Sequence, residues 1–200
     1  MKVFSINLRN ISRFSTSTTK FYIPLCDSKY YSVLFQGADT STPPHAFNLS
    51  NTTLKQNYLS KQKQFHPDKP NIDHDYALQT SSLINKAYET LLHPLSRAVY
   101  LLELNGIEIA ESDSIHDSTL LMDMLELREQ LEDAQSEEEV TQLRHDNGQS
   151  IQQTTHLLSQ AFENNDLESA KNLTIKLRYL CNLDVAARDW QPGAPVVIQH

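Results

Sequence analysis

The sequence predicts an all-α fold. Apolar residues recur at spacings of three and four along most of residues 30–186, which is the period of an amphipathic helix. Only four of the 200 residues are glycine. That scarcity argues against Rossmann sheets, P-loops and all-β sandwiches, because those folds use glycine in turns and at phosphates. No apolar window approaches the roughly 18 residues of a membrane span.

Charge is distributed unevenly along the chain. The net charge is −8, with +4 in residues 1–26, −1 in residues 27–110 and −11 in residues 111–200. An acidic body repels phosphate backbones, so no nucleic-acid partner is expected. The two cysteines, Cys26 and Cys181, lie far apart and form no CxxC pair. Neither a disulfide framework nor a cysteine zinc site is therefore predicted.

Residues 1–26 are typical of a mitochondrial transit peptide. They contain spaced lysines and arginines, many serines and threonines, and no acidic residue. Wound as a helix, they have an apolar side and a cationic side, whereas a secretory signal has a longer unbroken apolar stretch. The alternative is a basic tail with no targeting role. We expect the mature protein to reside in the mitochondrial matrix.

The first predicted elements lead into a helical hairpin. Residues 30–35 (YYSVLF) are apolar and predict either a strand or one to two helical turns. After a loop with glycine and paired prolines, a helix is expected from about residue 50 to 65. Its apolar residues on one side are Leu54, Tyr58 and Phe65. Pro67 and Pro70 end this helix, because proline cannot continue it.

Two more helices complete the predicted N-terminal half. One runs from about residue 73 to 92, with Asp73 and Asp75 in its first turn, where the helix dipole favours anions. Pro94 opens the next helix, since proline is well tolerated at a first helical position. Asn105-Gly106 is a typical helix end.

Three further helices are predicted at about residues 116–133, 137–163 and 166–186. Ser136 and Glu139 resemble a capping box before the second of them, and Asp166 is a suitable N-cap for the third. Because the connections are short, these helices are expected to form an antiparallel bundle. Residues 191–200 contain two prolines and a glycine and predict an irregular tail.

The turn between the first two long helices contains His66-Pro67-Asp68. Three interpretations are open: a proline turn in which His66 and Asp68 are incidental, a metal or acid–base site that also uses His74, and a recognition turn. The spacing of a metal-binding helix such as HExxH is absent. No cysteine or second carboxylate pair joins the motif, so catalysis and a bound metal or other cofactor are not expected.

The context of this turn resembles a J-domain. The similarity rests on His66-Pro67-Asp68, on Asn85-Lys-Ala-Tyr88, and on Pro94-Leu-Ser-Arg-Ala-Val-Tyr100. It implies a J-domain at residues 27–106 whose turn docks onto a DnaK-type heat-shock chaperone and stimulates its ATPase. Lys55 and Lys63 lie on one outward side of the preceding helix and are expected to steer it towards an acidic patch. Ordinary solvated lysines are the alternative.

The helix at residues 116–133 has more apolar residues than one core face needs. At about 100° per residue, a single stripe contains Leu120, Met124, Leu127 and Leu131. Leu121 and Leu125 lie about 100–140° from that stripe, and Met122 falls beside Glu126 and Glu129. Tyr179 likewise lies off the inner stripe of the last helix. Two interpretations are open: a wide core stripe that contacts two neighbouring helices, and an exposed docking surface with an acidic rim.

The segment Leu121-Met-Asp-Met-Leu-Glu-Leu-Arg-Glu129 is similar to one that characterises the HscB/Jac family of iron–sulfur co-chaperones. Asp189-Trp-Gln-Pro-Gly193 resembles the fungal mitochondrial members. The resemblance implies an L-shaped, two-domain, all-α protein in which a three-helix domain at residues 107–190 follows the J-domain. That domain is expected to bind the iron–sulfur cluster scaffold protein and deliver it to the chaperone. The implied scaffold-binding residues are Leu121, Met122, Leu125, Glu126, Glu129 and Tyr179.

The sequence therefore predicts a co-chaperone that is not itself an enzyme, since no P-loop is present and the ATP site belongs to the partner. The zinc module of the animal members is not expected, because the chain lacks its cysteines. Three alternatives stay open. They are a J-domain co-chaperone with a different mitochondrial client, a metal-dependent enzyme that uses His66, Asp68 and His74, and an acidic adaptor that binds the scaffold without stimulating a chaperone.

Overall fold

The computed structural model describes residues 30–35, 46–66, 73–109 and 118–192. These ranges contain seven α-helices and no strand: α1 Tyr30–Phe35, α2 Asn51–Phe65, α3 His74–Leu92, α4 Pro94–Leu104, α5 Ser118–Asp133, α6 Glu137–Glu163 and α7 Leu167–Arg188. The predicted all-α class is confirmed, and residues 30–35 form a short helix. The predicted transit peptide at residues 1–26, the tail from residue 193, and the side chain of Leu120 lie outside the described residues.

Side-chain caps begin four of the helices. Ser50 accepts a hydrogen bond from the backbone N–H of Thr53 at 3.4 Å, and Asp73 accepts one from Tyr76 at 2.9 Å. Ser136 and Asp166 cap α6 and α7 in the same way. These contacts satisfy amide groups that have no partner within the helix. The predicted caps at Ser136 and Asp166 are therefore confirmed.

Two left-handed residues end helices α4 and α6. Gly106 has φ 75° and Asn165 has φ 55°. The N–H of Ile107 donates to the carbonyl of Leu102 at 2.9 Å, and the N–H of Asp166 donates to that of Ala161 at 2.8 Å. Both sets of bonds form Schellman motifs, in which glycine or asparagine tolerates the left-handed backbone. The second motif reverses the chain, so α6 and α7 run antiparallel.

Arg97 is buried at the junction of α3, α4 and the segment before α2. Its guanidinium donates to the carbonyls of Leu91 at 2.7 Å, Leu92 at 3.2 Å and Phe47 at 2.7 Å. The first two carbonyls lie in the last turn of α3, where the helix dipole is negative and stabilises a cation. Burial nevertheless lowers the pKa of Arg97. One side chain thereby holds the entry to α2 against the end of α3.

The N-terminal helices and the C-terminal bundle share an apolar core. α4 packs against α7, and one cluster of buried side chains contains Leu101 and Leu102 together with Leu158 and Leu177. The ring of Phe47 stacks on that of Phe162 in α6, with 5.2 Å between centroids. The domain boundary near residue 106 stays a prediction. The described helices on either side of it are joined by side-chain packing as well as by the chain.

A second apolar cluster attaches α5 to the bundle. Leu131 is fully buried against residues of α6 and α7, namely Val140, Leu183, Ala186 and Ala187. Leu127 and Trp190 pack against the same cluster. All these α5 contacts involve its C-terminal half. Within the described part of the chain, no helix has both the length and the apolar character needed to cross a membrane.

Candidate functional site

The α2–α3 hairpin presents His66 at its end. Phe65 is buried, and its ring meets that of Tyr76 edge-on with 6.4 Å between centroids. His66 follows as the C-cap with an extended backbone, φ −62° and ψ 134°, and its side chain is exposed. An extended conformation is what a residue before proline prefers. Pro67 and Asp68, the other two residues of the predicted turn, lie outside the described residues.

Polar and aromatic contacts lock α2 to α3 behind that turn. The rings of Tyr58 and Tyr88 stack with 4.2 Å between centroids, and the Tyr58 hydroxyl donates to the Asn85 side chain at 3.1 Å. The Gln62 amide donates to the backbone carbonyl of Ser81 at 3.2 Å, and the Ser81 hydroxyl donates to the Gln62 oxygen at 2.9 Å. These paired contacts fix the register of α2 against α3.

Helix α2 carries positive charge. It contains three lysines and no acidic residue. Lys55 and Lys63 are exposed, as predicted, whereas Lys61 is half-buried and burial lowers its pKa. The hairpin therefore displays a cationic side within an acidic chain.

Three apolar side chains of α5 are exposed, and we call them the α5 patch. Leu121 is 41% exposed, Leu125 51% and Met122 70%. Leu131, on the predicted core stripe of the same helix, is fully buried. The wide-core interpretation is therefore wrong for the α5 patch. One face of α5 buries Leu131 and partly buries Leu127, while Leu121, Met122 and Leu125 remain exposed to solvent.

Tyr179 lies on α7. It is half-buried, so it is less outward than its position off the inner stripe suggested. It precedes Leu183, which packs on α5, by about one helical turn. Two chain reversals make α5 and α7 parallel, and the contacts of Leu131 and Leu183 lie towards the C-terminal end of both. Four residues back from these contacts, Tyr179 lies level with about the middle of α5, where the α5 patch ends.

An acidic groove separates α5 from α6. It encloses about 530 Å³, and its walls include five carboxylates, those of Glu126, Glu129, Asp133, Glu139 and Asp146. Ala134 and Leu143 contribute apolar lining. Glu126 and Glu129 were predicted as an acidic rim. The contribution of α6 was missed, because only the pairing of α5 with α6 brings Glu139 and Asp146 to the same groove.

The acidic groove does not have the arrangement of a metal site. Among the residues that the structure describes, no group of three or more His, Cys, Asp or Glu side chains converges closely enough to hold an ion. His74, one member of the hypothetical metal site, is exposed in the first turn of α3. Helix α5 thus combines exposed apolar side chains with Glu126 and Glu129 of the acidic groove, which is the composition of a protein-docking surface.

The chain is similar to a family of co-chaperones. Residues 116–188 match the family model described as the HSCB C-terminal oligomerisation domain. The human iron–sulfur cluster co-chaperone protein HscB is 35% identical over 144 residues, which are 70% of this chain and 61% of that protein. The mitochondrial J-type co-chaperone JAC1 of Saccharomyces cerevisiae is 30% identical over 160 residues, which are 77% of this chain and 85% of that protein. The chain thus spans about three fifths of the human relative and most of the yeast one.

The similarity to solved structures covers more of the chain than the sequence matches do. The crystal structure of human HscB superposes with a TM-score of 0.75 at 30% identity, covering 90% of each chain. The Jac1 co-chaperone of Saccharomyces cerevisiae superposes with a TM-score of 0.70 at 28% identity, covering 86% of this chain and 99% of that one. The helical hairpin followed by a C-terminal bundle is therefore an arrangement that this chain shares with both.

Proposed function

Because the chain belongs to the HscB/Jac family of iron–sulfur cluster co-chaperones, we propose that it binds an iron–sulfur cluster scaffold protein and delivers it to a DnaK-type heat-shock chaperone. Stimulation of the chaperone's ATPase then promotes cluster transfer. The observation that supports the proposal best is the α5 patch, three large apolar side chains left in solvent beside an acidic groove. Contiguous exposed apolar surface of this kind is typical of binding sites.

The scaffold binds at the α5 patch together with Tyr179, Glu126 and Glu129. Leucine, methionine and tyrosine side chains form the dry centre of such an interface, and carboxylates form its rim. The acid rim favours a scaffold surface with apolar pockets bordered by lysine or arginine. Opposite charge raises the association rate and disfavours acidic competitors. This part of the proposal predicts binding that weakens as salt screens the rim.

The chaperone binds at the hairpin turn. Pro67 restricts the backbone, so little conformational entropy is lost on docking. The carboxylate of Asp68 offers two oxygens to a bidentate arginine on the chaperone. His66, two residues earlier in the sequence, is exposed. Lys55 and Lys63 attract an acidic surface on the partner. The ATP-binding groups belong to the chaperone, and this chain contributes the contacts that favour hydrolysis.

Joining both sites on one chain raises the local concentration of scaffold at the chaperone. Two sites held by one molecule convert the second encounter into an intramolecular one. ATP hydrolysis then traps the scaffold on the chaperone. We place these events in the mitochondrial matrix on the basis of residues 1–26 and of the mitochondrial yeast relative. A fluorescent protein fused to residues 1–30 is expected in mitochondria, and a cytosolic signal would remove that assignment.

The Asp68→Ala variant tests the proposal. Chaperone ATPase is measured with the purified co-chaperone, with and without scaffold, and scaffold affinity is measured in parallel. The variant is expected to lose ATPase stimulation and to keep its scaffold affinity. Loss of both would mean that the turn is structural. ATPase stimulation without scaffold binding in the unaltered protein would instead indicate a J-domain co-chaperone with a different mitochondrial client.

A further inference from the structure

Helix α2 stands out by charge. It carries three lysines and no acid, in a chain whose net charge is −8. Its neighbour in the hairpin, α3, opens with Asp75 in its first turn, and α6 opens with three glutamates. A cationic helix on an acidic protein favours a partner surface of opposite sign, because charge complementarity guides the encounter.

Leu59 lies between the two exposed lysines of this helix. It is four residues after Lys55 and four before Lys63. Each of these three side chains is therefore rotated by only about 40° around the helix axis from the one before it. The three side chains share one side of α2, which we call the cationic face. Leu59 is 54% exposed, while Leu54 and Phe65 are the buried apolar residues of α2 and Tyr58 packs against the same core. Leu59 therefore contributes little to the core.

The backbone that carries Leu59 is held in place. The preceding residue, Tyr58, stacks on Tyr88 and donates to Asn85. Three residues later, Gln62 exchanges hydrogen bonds with Ser81. A side chain presented on a rigid helix loses less entropy on docking than one on a mobile loop. The cationic face is thus preorganised for contact.

We propose that Leu59 is the apolar anchor of the cationic face, and that it fills an apolar socket bordered by carboxylates on the DnaK-type chaperone. The inference rests on the proposed function, in which the chaperone docks on the hairpin, and adds a residue that determines partner choice. Lysines attract many acidic surfaces. A leucine between them raises the affinity for an acidic surface that also has an apolar pocket. An acidic surface without such a pocket binds more weakly.

The test uses the full chain with Leu59→Ala or Leu59→Gln, and measures chaperone ATPase against co-chaperone concentration. Both variants are expected to raise the half-maximal concentration about tenfold, the effect of losing an interface anchor. The maximal rate is retained, because His66, Pro67 and Asp68 are unchanged. Leu157→Ala is the matched control: Leu157 is an exposed leucine of α6, 39% in solvent, and its loss should leave the curve unchanged. Melting temperatures confirm folding.

The outcomes separate the inference from the function beneath it. If the unaltered chain stimulates the chaperone and both Leu59 variants follow the Leu157→Ala curve, Leu59 is no anchor and the proposed function stands. If the unaltered chain gives no stimulation, the proposed function fails and the inference fails with it. If sedimentation of the protein alone shows a self-associated species that Leu59→Ala disperses, a second copy occupies the cationic face, and the assignment to the chaperone is wrong.

Discussion

Replacing Leu121, Leu125 and Tyr179 with alanine is expected to weaken scaffold binding about 100-fold while the protein stays folded. Leu121 and Leu125 are 41% and 51% exposed, so about half of each side chain is free to be buried by a partner. Full burial of a leucine contributes about 1.5–3 kcal/mol, and half therefore contributes about 1 kcal/mol. With a similar amount for the half-buried tyrosine, the sum is about 3 kcal/mol, which corresponds to about 100-fold in affinity.

Stability separates this prediction from a core defect. Leu131→Ala, in the same helix, removes a fully buried side chain and is expected to cost about 2–5 kcal/mol of unfolding free energy. Leu125→Ala should cost about 1 kcal/mol or less, partly offset because alanine favours helix. Calorimetric titration against the scaffold and thermal unfolding by circular dichroism measure the two effects. Unchanged affinity in the triple variant, or a Leu125→Ala melt as low as that of Leu131→Ala, would refute the reasoning.

Two predictions concern the support of these surfaces. Arg97→Met is expected to lower the unfolding free energy by about 3 kcal/mol, because three backbone carbonyls lose a donor and two of those hydrogen bonds are buried. A melting temperature within about 1 °C of that of the unaltered protein would contradict that role. Gly106→Ala should lower the unfolding free energy by about 1 kcal/mol, since φ of 75° is strained for alanine, although no atom outside residues 105–107 lies within 4 Å of the added carbon. Chemical denaturation measures this change, and a gain in stability would show that the left-handed turn is not retained.

Helix positions and caps were predictable because their signals are local. Ser136, Asp166 and Asn105-Gly106 identify helix ends through hydrogen bonds to residues nearby in the chain, and the predicted helix limits lie close to those observed. The exposure of Leu121 and Leu125 was not decided by spacing alone. It depends on the helices that pack against α5, and the described α5 side chains in the apolar cluster, Leu127 and Leu131, lie in its C-terminal half.

Long-range packing was not predictable from local signals. Nothing near Arg97 in the sequence indicates that its guanidinium bonds to Phe47, fifty residues away. Two other features were not predictable for the same reason, because each depends on tertiary contacts between helices. They are the shared core of α4 and α7 and the α6 wall of the acidic groove. Leu59 was overlooked because a single apolar residue on a polar helix face is common; its exposure became informative only beside Lys55 and Lys63.

Under the proposed function, one molecule carries both docking surfaces and must use them together. The most direct test mixes two variants, Asp68→Ala with an intact α5 patch and the Leu121, Leu125 and Tyr179 triple alanine variant with an intact turn. Chaperone ATPase is measured with limiting scaffold. The unaltered protein is expected to give strong stimulation that scaffold increases, and the mixture is expected to lack that scaffold-dependent increase. Full recovery by the mixture would contradict the account, because the surfaces would then work on separate molecules.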